Sequence, residues 1–209
     1  MSVRIMLKPN GPIVLDAEDT PFPVLQTDEG ADITLEKKVF LCCCGASQKK
    51  PFCDGAHVKV GYSSENRCTN DTLQTYESPH ITVHFNRSIC SGAAECLHNL
   101  PSVFKNASVD WIHPGEAPVA DVIATVNKCP SGALTYTMEN VTTITGASEA
   151  AVKIVKNGPY EITGPVKFAP PKWSENASKT KFALCRCGKS ANNPFCDHSH
   201  GEQKWEDDK

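Results

Sequence analysis

Residues 41–57 read LCCCGASQKKPFCDGAH, and residues 184–200 read LCRCGKSANNPFCDHSH. Both fit the pattern C-x-C-x2-S-x3-P-x-C-D-x2-H. The first copy therefore presents Cys42, Cys44, Cys53 and His57, and the second presents Cys185, Cys187, Cys196 and His200. Three thiolates and one imidazole at this spacing make a metal-ligand set. From residue types alone two readings stand side by side: a closed tetrahedral Cys3His zinc site, and an iron–sulfur centre in which imidazole replaces thiolate, as it does in Rieske centres. Either one would contribute folding free energy, because an unfolded chain does not hold its ligands together.

The spacing resembles that of the CDGSH iron–sulfur family of mitoNEET-like proteins, whose motif is C-x-C-x2-(S/T)-x3-P-x-C-D-G-x-H. The resemblance implies one 2Fe-2S cluster in each copy, held by Cys42, Cys44, Cys53 and His57 and by Cys185, Cys187, Cys196 and His200. In that family two identical chains pair and bring two clusters side by side, so two copies in one chain imply an intrachain pseudo-dimer. One position departs from the family. Gly55 of the first copy becomes His198 in the second, where a side chain stands at a place suited to an open backbone conformation. His200 keeps the ligand register, and His198 is expected at the surface or beside the ligands. An imidazole in place of a thiolate leaves a cluster less negative, which raises its potential.

The repetition extends upstream. Asn10-Gly11-Pro12-Ile13-Val14-Leu15 is answered by Asn157-Gly158-Pro159-Tyr160-Glu161-Ile162, each a turn signal running into strand-like residues. Each unit then reads as a strand, a proline-containing excursion, a second strand at Lys38–Leu41 or Lys181–Leu184 entering the C-x-C, a loop and one short helix. Asp54 and Asp197, after the third cysteine, are suited to capping that helix. The expected domains are 1–63 and 148–209, with a separate unit at 64–147. Units this small bury little apolar surface, so the apo-protein is expected to be poorly folded.

The middle unit has its own ligand pattern. Cys90 and Cys96 form a C-x5-C, and Cys129-Pro130-Ser131-Gly132-Ala133 follows at a distance. Bacterial ferredoxins use C-x2-C-x2-C with a remote Cys-Pro; here Ala93 stands at the middle cysteine's position. The segment resembles divergent single-cluster ferredoxins, in which C-x5-C, a Pro-x-Val-Phe (Pro101–Phe104) and a Cys-Pro-Ser-Gly-Ala occur together. Three cysteines without a fourth imply a 3Fe-4S cluster, with 4Fe-4S as the alternative if another group completes the set. Residues 81–85 alternate as a strand, Val119, Val122, Ile123 and Val126 recur at helical spacing, and 133–138 reads as a closing strand. His84, His98 and His113 are not expected to be ligands. The fold class is thus α+β: two small β-rich CDGSH domains and a ferredoxin-like α+β domain.

Among 209 residues, 21 basic and 24 acidic side chains give a net charge of −3, without the footprint of a nucleic-acid or anionic-membrane binder. No apolar run approaches the roughly 18 residues of a membrane span, and the amino terminus lacks the apolar core of a secretory signal. A cytoplasmic protein is expected. Eleven cysteines are odd in number and include adjacent Cys42, Cys43 and Cys44, a poor basis for a disulfide framework. Cys43 is expected to point away from its neighbours, Cys68 to be inert, and Trp205 to be disordered or lightly docked in the acidic tail. No nucleotide loop, serine–histidine–acid set or open catalytic metal site is evident, so the chain reads as a one-electron carrier rather than an enzyme. A cluster-storage, cluster-transfer or sensing protein is the alternative. The partners expected are redox proteins or apo-protein acceptors.

Overall fold

The computed structural model describes residues 3–17, 24–33, 38–106, 110–138, 141–143 and 149–207. The boundary expected at 147–148 lies outside them. The first unit contains β1 (Val3–Leu7), β2 (Ile13–Asp16), β3 (Val24–Thr27), β4 (Asp32–Ile33), β5 (Lys38–Leu41) and the single-turn helix α1 (Ala56–Lys59). The middle unit contributes β6 (Leu73–Glu77), β7 (Thr82–Asn86), α2 (Glu95–Asn99), α3 (Val119–Asn127), β8 (Leu134–Met138) and β9 (Val141–Thr143). The last unit has β10 (Ala151–Ile154), β11 (Tyr160–Thr163), β12 (Val166–Phe168), β13 (Lys181–Leu184) and α4 (Ser199–Glu202).

The Asn-Gly-Pro signals close hairpins. Gly11 N donates to Lys8 O at 2.9 Å and Gly158 N to Val155 O at 3.0 Å. Asn10 and Asn157 sit at φ 51° and 53°, a left-handed conformation that asparagine tolerates. The turns join β1 to β2 and β10 to β11 as antiparallel pairs, and β5 and β13 add on the far sides.

The two outer units exchange strands. One sheet runs β12-β1-β2-β5 and the other β13-β11-β10-β3-β4. β12 of the last unit pairs in parallel with β1, and β3 of the first unit pairs in parallel with β10. One sheet is thus completed by β12 of the last unit and the other by the β3–β4 pair of the first, and neither unit closes its own sheet. The middle unit forms a separate antiparallel sheet, β6-β7-β8-β9, against which α3 buries Val122, Thr125 and Val126. One continuous apolar core links all three, from Ile5 and Leu15 through Phe85 and Val126 to Ile162, Phe182 and Phe195. Aromatic stacking of Phe168 on Phe182, with Trp173 and Phe195 edge-on or tilted, thickens the core beneath the second copy.

Candidate metal centres

In each copy the second strand ends at the first cysteine and the loop folds back onto it. Cys42 N donates to Pro51 O and Cys53 N to Phe40 O, both at 2.8 Å; Cys185 N and Cys196 N bond Pro194 O and Ala183 O in the same way. Ser47 Oγ bonds Phe52 O and Ser190 Oγ bonds Phe195 O, which bridges each loop internally. Asp54 and Asp197 act one residue earlier than a helix cap. Their Oδ1 atoms accept from Ala56 N and Ser199 N, and their Oδ2 atoms accept from Gln48 N and Ala191 N. The cap position itself belongs to Gly55 (φ 87°) and His198 (φ 75°).

These constraints gather the ligands two by two. Cys42 Sγ and Cys44 Sγ are 3.7 Å apart, as are Cys185 and Cys187. Cys53 Sγ lies 3.4 Å from His57 Nδ1, and Cys196 Sγ 3.4 Å from His200 Nδ1. Metal–sulfur and metal–nitrogen bonds of about 2.3 and 2.0 Å at a tetrahedral angle give edges of this length. Each pair therefore matches one edge of a metal tetrahedron. Among the described residues, however, no three His, Cys, Asp or Glu side chains converge as a single ion requires.

Electrostatics shows what the pairs demand. A hydrogen bond from Cys44 pulls the Cys42 thiol down to about 6, while the shared proton and burial push Cys44 up. Cys185 and Cys187 divide one proton in the same manner. Burial holds Cys196 well above the ordinary thiol value, and burial followed by the neighbouring His198 lowers His200 to about 4. Buried thiols beside a neutral imidazole are stable as thiolates only with compensating positive charge, which a metal supplies.

The two loops abut. A Cβ added at Gly45 would overlap the Cys187 carbonyl, and one at Gly188 would lie 2.6 Å from the Cys44 carbonyl; both glycines have positive φ. Tyr160 reaches across to donate to Cys42 O at 2.8 Å and is 3.0 Å from Pro51 O. Trp205 is not loose: its indole N–H bonds Gly45 O, and the Arg186 guanidinium lies 5.0 Å from its ring. Buried Arg186 also pairs with Asp207 at 2.5 Å, so the acidic tail is folded over the junction. Cys43 turns away from the ligands, donating to Gly11 O at 2.8 Å, and burial raises its thiol to about 12.

In the middle unit Cys90, Cys96 and Cys129 line one cavity with Phe85, Ala133 and Leu134. Cys90 follows a 3-10 turn at Arg87–Ile89, Cys96 lies in α2, and Cys129 follows α3. Burial raises Cys90, and raises Cys96 to about 11, with Cys129 adding repulsion to both. Ionised together, these cysteines would repel one another, and a bound cation would relieve that repulsion. His84, His98 and His113 do not line the cavity; His84 is engaged by Thr75 and Thr137 on the sheet.

His198 joins this unit to the second copy. Its Nδ1 lies 3.1 Å from Ser91 O, its ring stands edge-on 5.1 Å from that of His200, and a Cβ at Gly92 would overlap it. Arg87 bonds Asp197 O, and Asn192 Nδ2 bonds Ser88 O and Ser174 Oγ. The Cys90 loop thus lies directly against the Cys196–His200 segment. Nothing in the residue pattern identified that junction, apart from the Gly-to-His change.

The structure places three cysteine-containing candidate ligand sets in one chain, on loops that pack against one another. Comparison with known families agrees on all three. The model for the iron-binding zinc finger of CDGSH type matches residues 10–58 and 157–201, and that for the divergent 4Fe-4S mono-cluster matches residues 76–139. The chain is a CDGSH iron–sulfur protein with a divergent mono-cluster domain between its two CDGSH segments. Similar curated proteins are the uncharacterized protein YjdI of Escherichia coli strain K12 and its counterpart in strain O157:H7. Each is 38% identical over 61 residues, which is 29% of this chain and 80% of the relative. No solved structure matches.

Proposed function

We propose that the protein is a one-electron carrier, not an enzyme. In this reading Cys42, Cys44, Cys53 and His57 hold one 2Fe-2S cluster and Cys185, Cys187, Cys196 and His200 a second. Cys90, Cys96 and Cys129 hold a 3Fe-4S cluster, or a 4Fe-4S cluster if a further group completes it. Such clusters supply one-electron redox chemistry. The chain's own residues bury the ligands, pair them and pack the three sites against one another. The observation that carries the reading is that contiguity: Gly45 and Gly188 bring the two CDGSH loops into backbone contact, and Gly92 brings the middle loop onto His198. Short separations serve electron passage and are of no use to three independent structural metals.

Cluster storage and transfer is the second reading, favoured by the partial exposure of Cys44, Cys53 and His57 in the first copy. No helix among the described residues is long and apolar enough to cross a membrane, and the proposed compartment is the cytoplasm. The test is iron and acid-labile sulfide content of anaerobically purified protein, with electron paramagnetic resonance before and after reduction. A signal as isolated, lost in Cys96→Ala and kept in Cys53→Ala, is expected from a 3Fe-4S middle centre. Zinc without sulfide would overturn the reading.

A further inference from the structure

Three large hydrophobic side chains stand exposed among the described residues: Phe40 (45% accessible), Val58 (75%) and Val60 (54%). All three flank the first CDGSH site. Phe40 lies two residues before Cys42 on the outward face of β5, and its carbonyl accepts from Cys53 N. Val58 follows His57 directly, and Val60 closes the helix. The second copy provides an internal control at the same register. There Ala183, Gly201 and Gln203 replace Phe40, Val58 and Val60, and Glu202 replaces Lys59.

The placement of charge differs as well. Residues 38–61 carry Lys38, Lys49, Lys50 and Lys59 against a single carboxylate, Asp54, on a chain whose net charge is −3. Lys49 and Lys59 are exposed; Lys38 pairs with Asp16, Lys50 donates to Asp207 O, and Asp54 is occupied by backbone amides. In the second copy Asn192 and Glu202 stand where the first has Lys49 and Lys59; Lys181 donates to Asn127 O and Arg186 pairs with Asp207, and the exposed lysines there, Lys189 and Lys204, lie at other positions, those of Ala46 and Gly61. An apolar centre with a charged rim is the composition of a transient protein interface, in which the rim steers encounter and the apolar contacts hold.

We infer that the Phe40, Val58 and Val60 face, rimmed by Lys49 and Lys59, is the docking surface for an acidic partner protein, and that the first CDGSH site is where the chain meets its partner. The nature of what is exchanged there rests on the carrier reading; the docking itself does not. The lysines select an acidic surface, and the valines select an apolar patch small enough for a brief contact. The second copy has exposed lysines at Lys189 and Lys204 but no apolar patch for them to rim, since Ala183, Gly201 and Gln203 stand at the matching positions.

The test uses holo-protein and an acidic plant-type ferredoxin in apo form as the probe, with association measured from low to moderate salt. Expected is association that weakens with salt, falls about tenfold or more in the double variant Lys49→Glu with Lys59→Glu, and falls severalfold in Val58→Ser with Val60→Ser. These are exposed positions, and unchanged visible absorbance would confirm intact sites. Lys189→Glu with Lys204→Glu, exposed in the second copy, is expected to leave association within twofold. Salt-insensitive or absent association, or equal losses from both copies, overturns the inference. So does binding of the same face to phosphatidylserine vesicles in place of ferredoxin, or self-association that disappears with the valines. Docking that persists in a chain found to hold no labile sulfide would sink the carrier reading and leave the docking face standing.

Discussion

The two CDGSH copies share ligand spacing, strand bounds and a one-turn helix, yet they have different surroundings. In the second, Cys185, Cys187 and Cys196 are 2%, 3% and 2% accessible. The loop is held by Asn192 on Ser88 and Ser174 and by His198 on Ser91. In the first, lysines replace the two asparagines, Gly55 replaces His198, and Cys44 and Cys53 are partly exposed, while His57 and His200 are alike half-buried. The lesson is that the two copies share one ligand geometry and that contact with the middle unit sets the second apart. The second copy's three cysteines are buried, and the first copy leaves Cys44 and Cys53 open to the outside.

The largest effect is expected where the copies still act as a pair. Gly188→Ala or Gly45→Ala would drive a methyl group into the backbone of the other loop at positive φ, with an expected loss of about 3 kcal/mol or more, measurable by denaturant unfolding of holo-protein. Next is the junction found only in the second copy. Gly92→Ala should cost about 2 kcal/mol through its clash with His198, and His198→Gly should recover much of it, a coupling that a double-mutant cycle reads directly. Additive effects would show that His198 does not bridge the units.

A smaller effect sharpens the comparison through pH. Burial would raise the Asp71 carboxyl, but hydrogen bonds from Asn86, Ser88 and the Glu175 backbone, with Lys172 nearby, hold it below its ordinary value of 3.8. Its folded value being depressed, this stabilisation is complete above the ordinary value and is lost as pH falls through the folded one. Asp71→Asn should therefore cost about 2 kcal/mol at neutral pH, and the variant and parent should converge in strong acid. A constant difference across that range would contradict the assignment. Smallest is Gly55→His. It places histidine in the first copy at positive φ with open space around it, for an expected loss of about 1 kcal/mol and no gain in burial of that site, measured by the same unfolding.

Much of the arrangement was legible in residues. The strands Lys38–Leu41 and Lys181–Leu184 end where the first cysteines require, and the apolar spacing of Val119, Val122 and Val126 forms α3. Of each expected four-ligand set, the structure shows the two C-x-C cysteines 3.7 Å apart and the third cysteine 3.4 Å from its histidine. What stayed hidden depends on distant pairing. β1 and β10 carry no turn or motif of their own, and the parallel pairing of β3 with β10 joins segments more than a hundred residues apart. Local pattern has no term for such a partner. Trp205 looked like tail residue because its acidic neighbours suggest solvent; buried Arg186 and the Gly45 carbonyl, invisible in sequence, draw it in. The His198 contact was equally hidden, since Ser91 O is a backbone group that any residue could supply.

The inequality of the two sites is tested most directly by the time course of visible absorbance when holo-protein is exposed to an iron chelator at neutral pH. Two phases are predicted. His57→Cys, which gives the open site a fourth thiolate, should slow the fast phase alone, and His200→Cys should leave the fast phase unchanged. A single phase for both CDGSH centres, or a fast phase that responds to His200→Cys, would contradict the claim that the first copy faces outward while the cysteines of the second are buried.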